Sequence, residues 1–529
     1  MKNLMVICFL FVYVQSTAQV IFQKYYGSLG VDNGYYAQQT TDSGYIIVGS
    51  NSVTGQDIGL IKTNSSGDTM WSKRIGGSAT DYGKFVQQTS DGGYIITGIT
   101  ESFGAGQYDV ILVRLDANGD SLWVKTFGGV NYELTECVQQ TTDGGFIITG
   151  STNSFGAGGY DVFLIKTDAN GDTLWTKTYG GITTVEVGSE VKQTSDGGYI
   201  ITGQLQTGFT NSDIYLIKTD STGNLLWAKT YGGTGFNRSF SVEQTNDGGY
   251  IITGEADGFG GGTYDVFLIK TDNTGNLLWS KTYGGTGGDG GYSVKQTADG
   301  GFVVAGYSSS FTPAQYNFYL IKTNAIGDTL WTTSFGGMAF GGTNDEFAES
   351  VQQTNDGGYI LTGVTSSFGV PNSLGNYYIV KTDSMGNSGC NQYSIAATVL
   401  TSSLVVANPV PLVSPGAFII TTPAITIFGG GNVGTICSGT IGINELSTDN
   451  SFLISPNPSI GDVEITFTNL INNGKIELYN VLGRRVFSEK IISKSKSEIN
   501  LKNISQGIYF VKVFDGEKSY CKKLIVEHD

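Results

Sequence analysis

The sequence predicts an all-β protein, in which a seven-bladed β-propeller closed by an N-terminal strand is followed by a C-terminal immunoglobulin-like β-sandwich. Three observations support this fold class: 78 of the 529 residues are glycine, aromatic residues make up 12% of the chain, and one glycine-rich motif recurs along most of the sequence. Glycine-rich turns between aromatic and β-branched runs are typical of short antiparallel strands, and regular repetition of such strands is typical of propellers.

An N-terminal signal peptide is predicted for residues 1–18. Lys2 supplies a short basic region, an apolar run follows it, and the small residues Ser16 and Ala18 precede a cleavage site. The apolar run is too short to cross a bilayer, and no later stretch is long and apolar enough to form a transmembrane helix. We therefore expect an exported chain.

The predicted propeller spans residues 19–390 and contains seven repeated units. Two markers define them: a tryptophan in six units, and the motif Q-T-x-D-G-G-[YF], which occurs in all seven, with Ser in place of the first Gly in unit one. The tryptophans are Trp71, Trp123, Trp175, Trp227, Trp279 and Trp331. The motif aspartates are Asp42, Asp91, Asp143, Asp196, Asp247, Asp299 and Asp356. A tryptophan at a fixed position in each unit favours packing between neighbouring blades; a functional aromatic platform is the alternative.

Each unit is predicted to form four strands, as the third unit illustrates. Strand A covers residues 136–141 (ECVQQT), strand B 146–150 (FIITG), strand C 160–167 (YDVFLIKT) and strand D 173–180 (TLWTKTYG). Asp and Gly occupy the A–B and C–D turns, where tight turns need side-chain caps and positive φ. The apolar runs of strands B and C indicate that both faces are buried, as in a blade between two neighbours.

The seventh unit lacks a fourth strand, and Cys390 stands where its tryptophan would fall. Residues 20–27 (VIFQKYYG) resemble a D strand without a unit of its own, with Phe22 at the tryptophan position. We therefore expect residues 22–27 to pair with the seventh unit and to close the ring of blades.

The loops that join strands B to C and strands D to A vary between units and share one face of the predicted propeller. Variable loops above a rigid frame often carry binding sites. The candidate ligand-binding residues on this face are Phe103, Phe155, Phe259, Phe311, Asp289, Asp345 and Glu346. The alternative is that the four aromatic side chains only hold their own loops in place.

Composition argues against several chemistries. His528 is the one histidine of the chain, so a Ser-His-Asp triad or a His-based zinc site has no histidine to use. The excess of 46 acidic over 30 basic residues argues against nucleic acid as a partner. The turn at residues 168–172 (DANGD) lacks the 12-residue ligand pattern of a calcium loop, although calcium stays an alternative to simple turn capping. No catalytic residue, metal or cofactor is predicted.

Residues 167–175 (TDANGDTLW) resemble two known blade motifs, the Asp box of sialidases and the tryptophan-docking repeat of quinone-cofactor dehydrogenases. The stretch is longer than an Asp box by one residue before Gly and by another before Trp. Sialidases cluster three arginines on their substrate, whereas Arg74, Arg114 and Arg238 are scattered over the predicted propeller. The dehydrogenases have eight blades. Both resemblances imply shared blade construction and no shared chemistry.

A β bridge rich in Thr, Val and Pro is predicted for residues 391–450, and residues 384–444 contain no charged residue. This composition predicts extended strands that either pack along the propeller or form a stalk. Cys390 and Cys437 flank the segment, and an exported protein permits a disulfide between them. Cys137 and Cys521 lie in predicted strands and are expected to be buried thiols.

Residues 451–529 form a small predicted β domain with four ordered motifs: PNP at 456–458, LYNVLG at 478–483, GIYFVKV at 507–513 and KKLIV at 522–526. The domain resembles the type A C-terminal sorting domain of the type IX secretion system in Bacteroidetes. The residues carrying this resemblance include Pro456, Asn457, Pro458, Gly483, Gly507, Tyr509, Val511, Lys522 and Lys523. An adhesive immunoglobulin-like module is the alternative.

This resemblance implies outer-membrane translocation, usually followed by cleavage of the domain and by release of the passenger or its attachment to surface lipopolysaccharide. The partners are then the type IX outer-membrane translocon and sorting machinery. The seven DGGY units resemble repeats in surface proteins of the same bacteria, which share no assigned activity.

The sequence predicts an exported surface or secreted propeller that acts as a binding or adhesion module for polysaccharide or another surface protein. It is expected outside the outer membrane after signal peptide cleavage. The alternative is a secreted carbohydrate-active enzyme, a glycosidase or lyase that uses loop carboxylates. A purely structural role is a third possibility.

Overall fold

The computed structural model describes residues 19–527, except 29, 53–54, 209–210, 234, 258–262, 312–314, 337–344, 370–374, 396, 402–403, 410, 415–418, 422–425, 429–431, 442–451, 458, 460, 481–484, 502–503 and 516–517. Every regular element in this part of the chain is a β-strand. The strands fall into two compact units, Gln19–Thr440 and Ile441–Asp529. No described segment forms a helix with the length and hydropathy that a membrane crossing requires.

The unit Gln19–Thr440 contains seven five-stranded antiparallel sheets among its described residues, here numbered 1 to 7 along the chain with strands A to E from the inside outwards. The A strands are Asn33–Gln39, Asp81–Gln88, Glu133–Gln140, Val185–Gln193, Asn237–Gln244, Asp289–Gln296 and Glu346–Gln353. The B strands are Tyr45–Asn51, Tyr94–Thr100, Phe146–Thr152, Tyr199–Gln206, Tyr250–Ala256, Phe302–Ser308 and Tyr359–Thr365.

The outer strands follow in the same order of sheets. The C strands are Asp57–Thr63, Asp109–Leu115, Asp161–Thr167, Ser212–Thr219, Asp265–Thr271, Asn317–Thr323 and Asn376–Thr382. The D strands are Thr69–Gly76, Ser121–Gly128, Thr173–Gly180, Leu225–Gly232, Leu277–Gly284, Thr329–Phe335 and, for sheet 7, Gln19–Gly27. The E strands are Thr426–Phe428, Ile419–Thr421, Leu412–Ser414, Val405–Ala407, Thr398–Thr401, Gln392–Ser394 and Asn432–Ile441.

The seven sheets form a closed, β-propeller-like circle. Strand B of each sheet packs against strand A of the next, and strand B of sheet 7 packs against strand A of sheet 1. Strands Phe146–Thr152 and Asp161–Thr167 are buried along their whole length, because each sheet lies between two neighbours. The N-terminal strand Gln19–Gly27 completes sheet 7 by pairing antiparallel with Asn376–Thr382.

The tryptophans pack between neighbouring sheets. The Trp71 ring lies 5.9 Å, centroid to centroid, from the ring of Tyr94, the first residue of strand B in the next sheet. A Cβ on Gly119, in the C–D turn of that next sheet, would come within 2.9 Å of the same tryptophan. Gly119 also has φ of +80°, so both the turn and the tryptophan favour glycine there.

The repeated D-G-G turns hold one ion pair per sheet. A buried basic residue near the end of strand C contacts the aspartate of the A–B turn, at 2.5 to 3.0 Å. The pairs are Lys62–Asp42, Arg114–Asp91, Lys166–Asp143, Lys218–Asp196, Lys270–Asp247, Lys322–Asp299 and Lys381–Asp356. The same aspartates accept a hydrogen bond from the turn backbone, as Asp143 does from the N–H of Gly145. Turn geometry and charge pairing therefore account for the uniformity of these turns.

The fifth strand of each sheet comes from one segment, residues 390–441, here called the belt. The belt follows sheets 6, 5, 4, 3, 2, 1 and 7 in that order and adds one strand to the outer edge of each. A disulfide joins Cys390 to Cys437, so the intervening residues form a covalently closed loop along all seven sheets. The sequence predicts four strands per unit and misses the fifth, because six belt strands have only three or four residues.

The unit Ile441–Asp529 is a small β domain. Its described strands are Phe452–Ser455, Asp462–Asn480, Arg485–Asn500, Gly507–Asp515 and Lys518–Val526. The start of Asp462–Asn480 pairs with Phe452–Ser455, and its end pairs with Gly507–Asp515. Fourteen buried residues, among them Val463, Leu478 and Val511, form one core. The sequence predicts about seven short strands in this domain. The described part has five, because two of them, Asp462–Asn480 and Arg485–Asn500, are 19 and 16 residues long.

Candidate functional site

Every A strand contains one β-bulge. In sheet 2, for example, the pairing with strand B shifts between Gly83 and Phe85, which leaves Lys84 as the extra residue. The seven bulged residues are Tyr35, Lys84, Glu136, Ser189, Phe240, Tyr292 and Glu349. All seven are half-buried, and all line one central cavity of about 350 Å³. A bulge re-aims its side chain, and here the seven bulges together form what we call the bulge ring.

One half of the bulge ring is charged and comes from the consecutive sheets 7, 1, 2 and 3. Lys84 Nζ lies 3.2 Å from Oε2 of Glu136 and 4.9 Å from the centroid of the Tyr35 ring. Burial lowers the pKa of Lys84, but the Glu136 carboxylate outweighs this effect and the pKa is raised. Burial raises the pKa of Glu349 to about 7, with Lys84 opposing and Glu136 reinforcing the shift. Glu349 is therefore substantially protonated at neutral pH, beside an internally compensated ion pair.

The other half of the bulge ring is uncharged and contains two aromatic residues. It consists of Ser189, Phe240 and Tyr292, from sheets 4, 5 and 6. The Phe240 and Tyr292 rings meet edge to face, with centroids 4.7 Å apart and planes at 89°. Burial raises the pKa of Tyr292 well above its ordinary value, so its hydroxyl stays protonated. The bulge ring therefore has a charged half and a half with two aromatic rings.

The residue that follows each bulge forms a second layer of the lining in six of the sheets. The Tyr36 and Phe85 rings stack there with centroids 3.9 Å apart. Glu190 contacts Lys192 at 2.6 Å, and burial of this carboxyl is outweighed by Lys192 and Lys295, which lower its pKa to about 2. Glu190 is thus held ionised by two lysines, and Glu243 also acts on Lys295.

The aromatic residues predicted on the variable loops support those loops. Phe103 and Phe311 are half-buried, and each packs against a buried cluster that its own sheet shares with the preceding sheet. Phe155 is also half-buried, and a Cβ on Gly129 in the neighbouring loop would come within 2.8 Å of its ring. Phe259 lies outside the described residues. None of the three described rings lines the central cavity, and a binding role for them stays a prediction.

The predicted acidic residues lie at the starts of A strands. Asp289 and Glu346 are fully buried. Asp289 accepts hydrogen bonds from the Gly285 N–H and the Ser310 hydroxyl, and Asp345 accepts one from the N–H of Tyr316. The structure does not bring these carboxylates together in one pocket. Among the described residues, no cluster of three or more His, Cys, Asp or Glu is arranged to hold a metal.

The bulge ring was missed because its position does not stand out as a motif. In each unit the bulged residue lies five positions before the threonine of Q-T-x-D-G-G, within an otherwise repetitive strand. The side chain at this position changes from tyrosine to lysine, glutamate, serine and phenylalanine between units. This variation at one register position is the signal that could have pointed to the site.

The sorting motifs meet in the C-terminal unit. The Asn457 side chain donates to the carbonyl of Lys523 and accepts from the N–H of Ile525, which joins the first motif to the last. Tyr509 and Val511 are buried, whereas Lys523 is exposed. Lys522 Nζ lies 5.4 Å from the centroid of the Phe452 ring, and Pro456 follows a cis peptide bond. Gly507 begins the strand that carries Tyr509. Pro458 and Gly483 lie outside the described residues.

Comparisons with known proteins address the two units differently. Residues 453–527 match the family model of the secretion system C-terminal sorting domain, which supports a type IX sorting domain in this part of the chain. A search of curated proteins found no similar sequence. One similar solved structure is an extracellular domain assigned to a hybrid two component system of B. thetaiotaomicron, with 10% identity over 93% of this chain and 72% of that chain. Its TM-score of 0.25 is too low to support an argument.

The sorting domain indicates a secreted or cell-surface protein that interacts with the type IX secretion machinery.

Proposed function

We propose that the chain is an exported seven-bladed β-propeller that binds a neutral glycan in its central cavity. The observation that carries this proposal is the division of the bulge ring into a polar and an aromatic half. A sugar residue has an apolar C–H face and a rim of hydroxyl groups, so it would place its apolar face against Phe240 and Tyr292 and its hydroxyls towards Glu136 and Glu349. Aromatic side chains with a few convergent polar groups are typical of ligand pockets.

The charges of the cavity favour an uncharged ligand. Lys84 is paired with Glu136, and Glu190 is paired with Lys192. An anionic or cationic ligand would have to break one of these buried pairs, which is costly because the remaining charge stays unpaired. A cavity of about 350 Å³ lies in the size range of small-ligand sites. One or two sugar units at the end of a polysaccharide would fit such a space.

Delivery to the cell exterior is part of the proposal. The sorting domain implies export, and its five strands and single core are consistent with an immunoglobulin-like sandwich. A module that is exported and binds surface polysaccharide would act in adhesion or in nutrient capture. Removal of residues 452–529 should leave the protein in the periplasm, and surface display of the shortened chain would contradict the role of this domain.

A second candidate function, glycoside hydrolysis, is favoured by one observation. Burial raises the pKa of Glu349 to about 7, and Glu349 shares the cavity with Glu136; a pair of carboxyl groups is the usual requirement for this reaction. In that case Glu349 would act as the general acid and Glu136 as the base or nucleophile.

The test is a glycan-array screen with the mature full chain, followed by calorimetric titration of each hit and an assay for new reducing ends. Tyr292→Ala should weaken binding of a hit at least tenfold, because it removes the aromatic surface. Leu174→Ala is a matched control, since this side chain is 58% exposed outside the cavity. Equal affinity in both variants would refute the cavity as the site. Reducing ends that disappear in Glu349→Gln would establish the second function instead.

A further inference from the structure

Two polar side chains meet at the junction between each pair of neighbouring sheets. One comes from the start of strand C in the first sheet, the other from the start of strand A in the next. A Cβ on Gly128, the last residue of a D strand, would overlap Oδ1 of Asp109 and come within 3.0 Å of Oε2 of Glu133. Both carboxylates therefore approach the same backbone position.

The seven junctions differ in their charge. Their pairs, in order, are Asp57 and Asp81, Asp109 and Glu133, Asp161 and Glu186, Asp213 and Asn237, Asp265 and Asp289, Asn317 and Glu346, and Asn376 and Asp32. Three pairs contain an asparagine in place of one acid. In the first pair Arg74 Nε lies 3.0 Å from Oδ2 of Asp57 and compensates one charge. These four junctions therefore carry no more than one net negative charge each.

Asp109 and Glu133, and likewise Asp161 and Glu186, have no such compensation. Among the described residues, no Lys or Arg forms an ion pair with any of these four carboxyl groups. Asp109 and Asp161 are 1% exposed, Glu133 is fully buried, and Glu186 is 2% exposed. Two ionised carboxylates held this close in a buried site repel each other strongly.

The hydrogen bonds show where a proton would reside. Oδ2 of Asp109 accepts the N–H groups of Ala105 and Gly106, whereas its buried Oδ1 has no hydrogen-bond partner. Oε2 of the neighbouring Glu133 accepts the N–H of Gly129. A proton on Oδ1 of Asp109 would turn this unpartnered acceptor into a donor towards the Glu133 carboxylate.

The second junction repeats this arrangement. Oδ2 of Asp161 accepts the N–H of Ala157, and its buried Oδ1 is again without a partner. A Cβ on Gly180 would overlap this Oδ1 and come within 2.9 Å of Oε2 of Glu186. Oδ1 of Asp213 is also without a partner, but its neighbour in that junction is Asn237 and not a second acid.

We propose that the acid pairs Asp109–Glu133 and Asp161–Glu186 each bind one proton at neutral pH, shared between the two carboxyl groups. Neither of these two junctions then carries more than one negative charge. In these two junctions the bound proton removes one negative charge. Asn237, Asn317, Asn376 and Arg74 have the same effect in four other junctions.

The electrostatic surroundings support this assignment. Burial raises the pKa of Asp161 to about 6, and burial together with the Asp161 charge raises that of Glu186 to about 7. Burial and the Glu133 charge also raise the pKa of Asp109. The other titratable group facing the second pair is the buried Tyr215, whose own pKa is raised by its burial and by both carboxylates. The folded protein therefore binds protons that the unfolded chain releases, and its stability falls as the pH rises through this range.

The test is infrared spectroscopy of the mature full chain at pH 7, which detects the carbonyl band of protonated carboxyl groups. Asp161→Asn should remove the contribution of its pair from this band and flatten the fall of the melting temperature between pH 5 and pH 8. The positions equivalent to Asp161 in sheets 6 and 7 hold Asn317 and Asn376, so the fold accommodates asparagine there.

Asp213→Asn is the matched control, because its partner is already Asn237. This variant should leave the band intact. An unchanged band in Asp161→Asn would overturn the proposal, and so would an equal loss in both variants, since isolated acids would then hold the protons.

Discussion

The Phe22 and Tyr45 rings meet edge to face, with centroids 6.0 Å apart and planes at 69°. The corresponding rings of Trp71 and Tyr94 are 5.9 Å apart at 71°. Phe22 comes from the N-terminal strand and Tyr45 from sheet 1, so this contact joins sheet 7 to sheet 1 as a tryptophan joins every other neighbouring pair. The N-terminal strand is thus an integral part of the circle.

Loss of this strand should destabilise the whole unit Gln19–Thr440. Deletion of residues 19–27 leaves strand Asn376–Thr382 and the last belt strand without their common partner, and the melting temperature should fall sharply. Phe22→Ala alone should cost about 3–5 kcal/mol of unfolding free energy, because Phe22 is fully buried. Leu330→Ala is the control: its side chain is 56% exposed, and a change below about 0.5 kcal/mol is expected. Chemical denaturation measures both, and equal stability of the two variants would contradict this role of Phe22.

The disulfide between Cys390 and Cys437 should stabilise the closed belt. It closes a loop with a sequence separation of 47 residues, and loop-closure entropy for this length is worth about 4 kcal/mol. The double variant Cys390→Ser/Cys437→Ser should therefore melt at lower temperature and unfold faster. Chymotrypsin should also cut its belt sooner, whereas trypsin cannot, because residues 384–444 contain no Lys or Arg. Identical digestion rates with and without the disulfide would show that the belt is held by its strand pairing alone.

The repeated markers predicted the strands, whereas the belt and the cavity needed three-dimensional information. The register of Trp71 and its equivalents, together with the Asp and Gly of the turns, is a local pattern that any unit displays. A belt strand such as Leu412–Ser414 has no periodicity of its own, since its position depends on pairing with a strand more than 200 residues earlier. Lys84 and Glu136 meet only because two bulges turn them towards the same central space. Neither relationship exists within a single repeat.

The ion pair between Lys166 and Asp143 should contribute more to the free energy of unfolding than the more exposed pair between Lys125 and Asp172. The Lys166 side chain is 4% exposed, and its Nζ lies 2.9 Å from Oδ2 of Asp143. Asp143→Ala leaves this ammonium group hydrogen-bonded to the Thr167 carbonyl without its carboxylate and should cost about 2 kcal/mol, the usual value for a charged hydrogen bond. Asp172→Ala breaks the pair with Lys125, which is more exposed, and should cost less than about 1 kcal/mol. Urea denaturation of both variants measures the difference, and a reversed order would refute this ranking.

Glu346 should make stability depend on pH. It is fully buried, and burial raises its pKa to about 7, although hydrogen bonds from Ser367 and Thr365 oppose the shift. Because the folded pKa exceeds the unfolded value, the stabilisation is complete below about pH 4.5 and is lost as the pH rises through 7. A shift of this size corresponds to at most about 3 kcal/mol. Glu346→Gln keeps the shape and hydrogen-bonding capacity of the side chain without the charge, so its unfolding free energy should fall less between pH 5 and pH 8 than that of the parent protein. Denaturation curves at four pH values measure the unfolding free energy of both proteins. If it changes with pH equally in Glu346→Gln and in the parent protein, other groups cause the pH dependence.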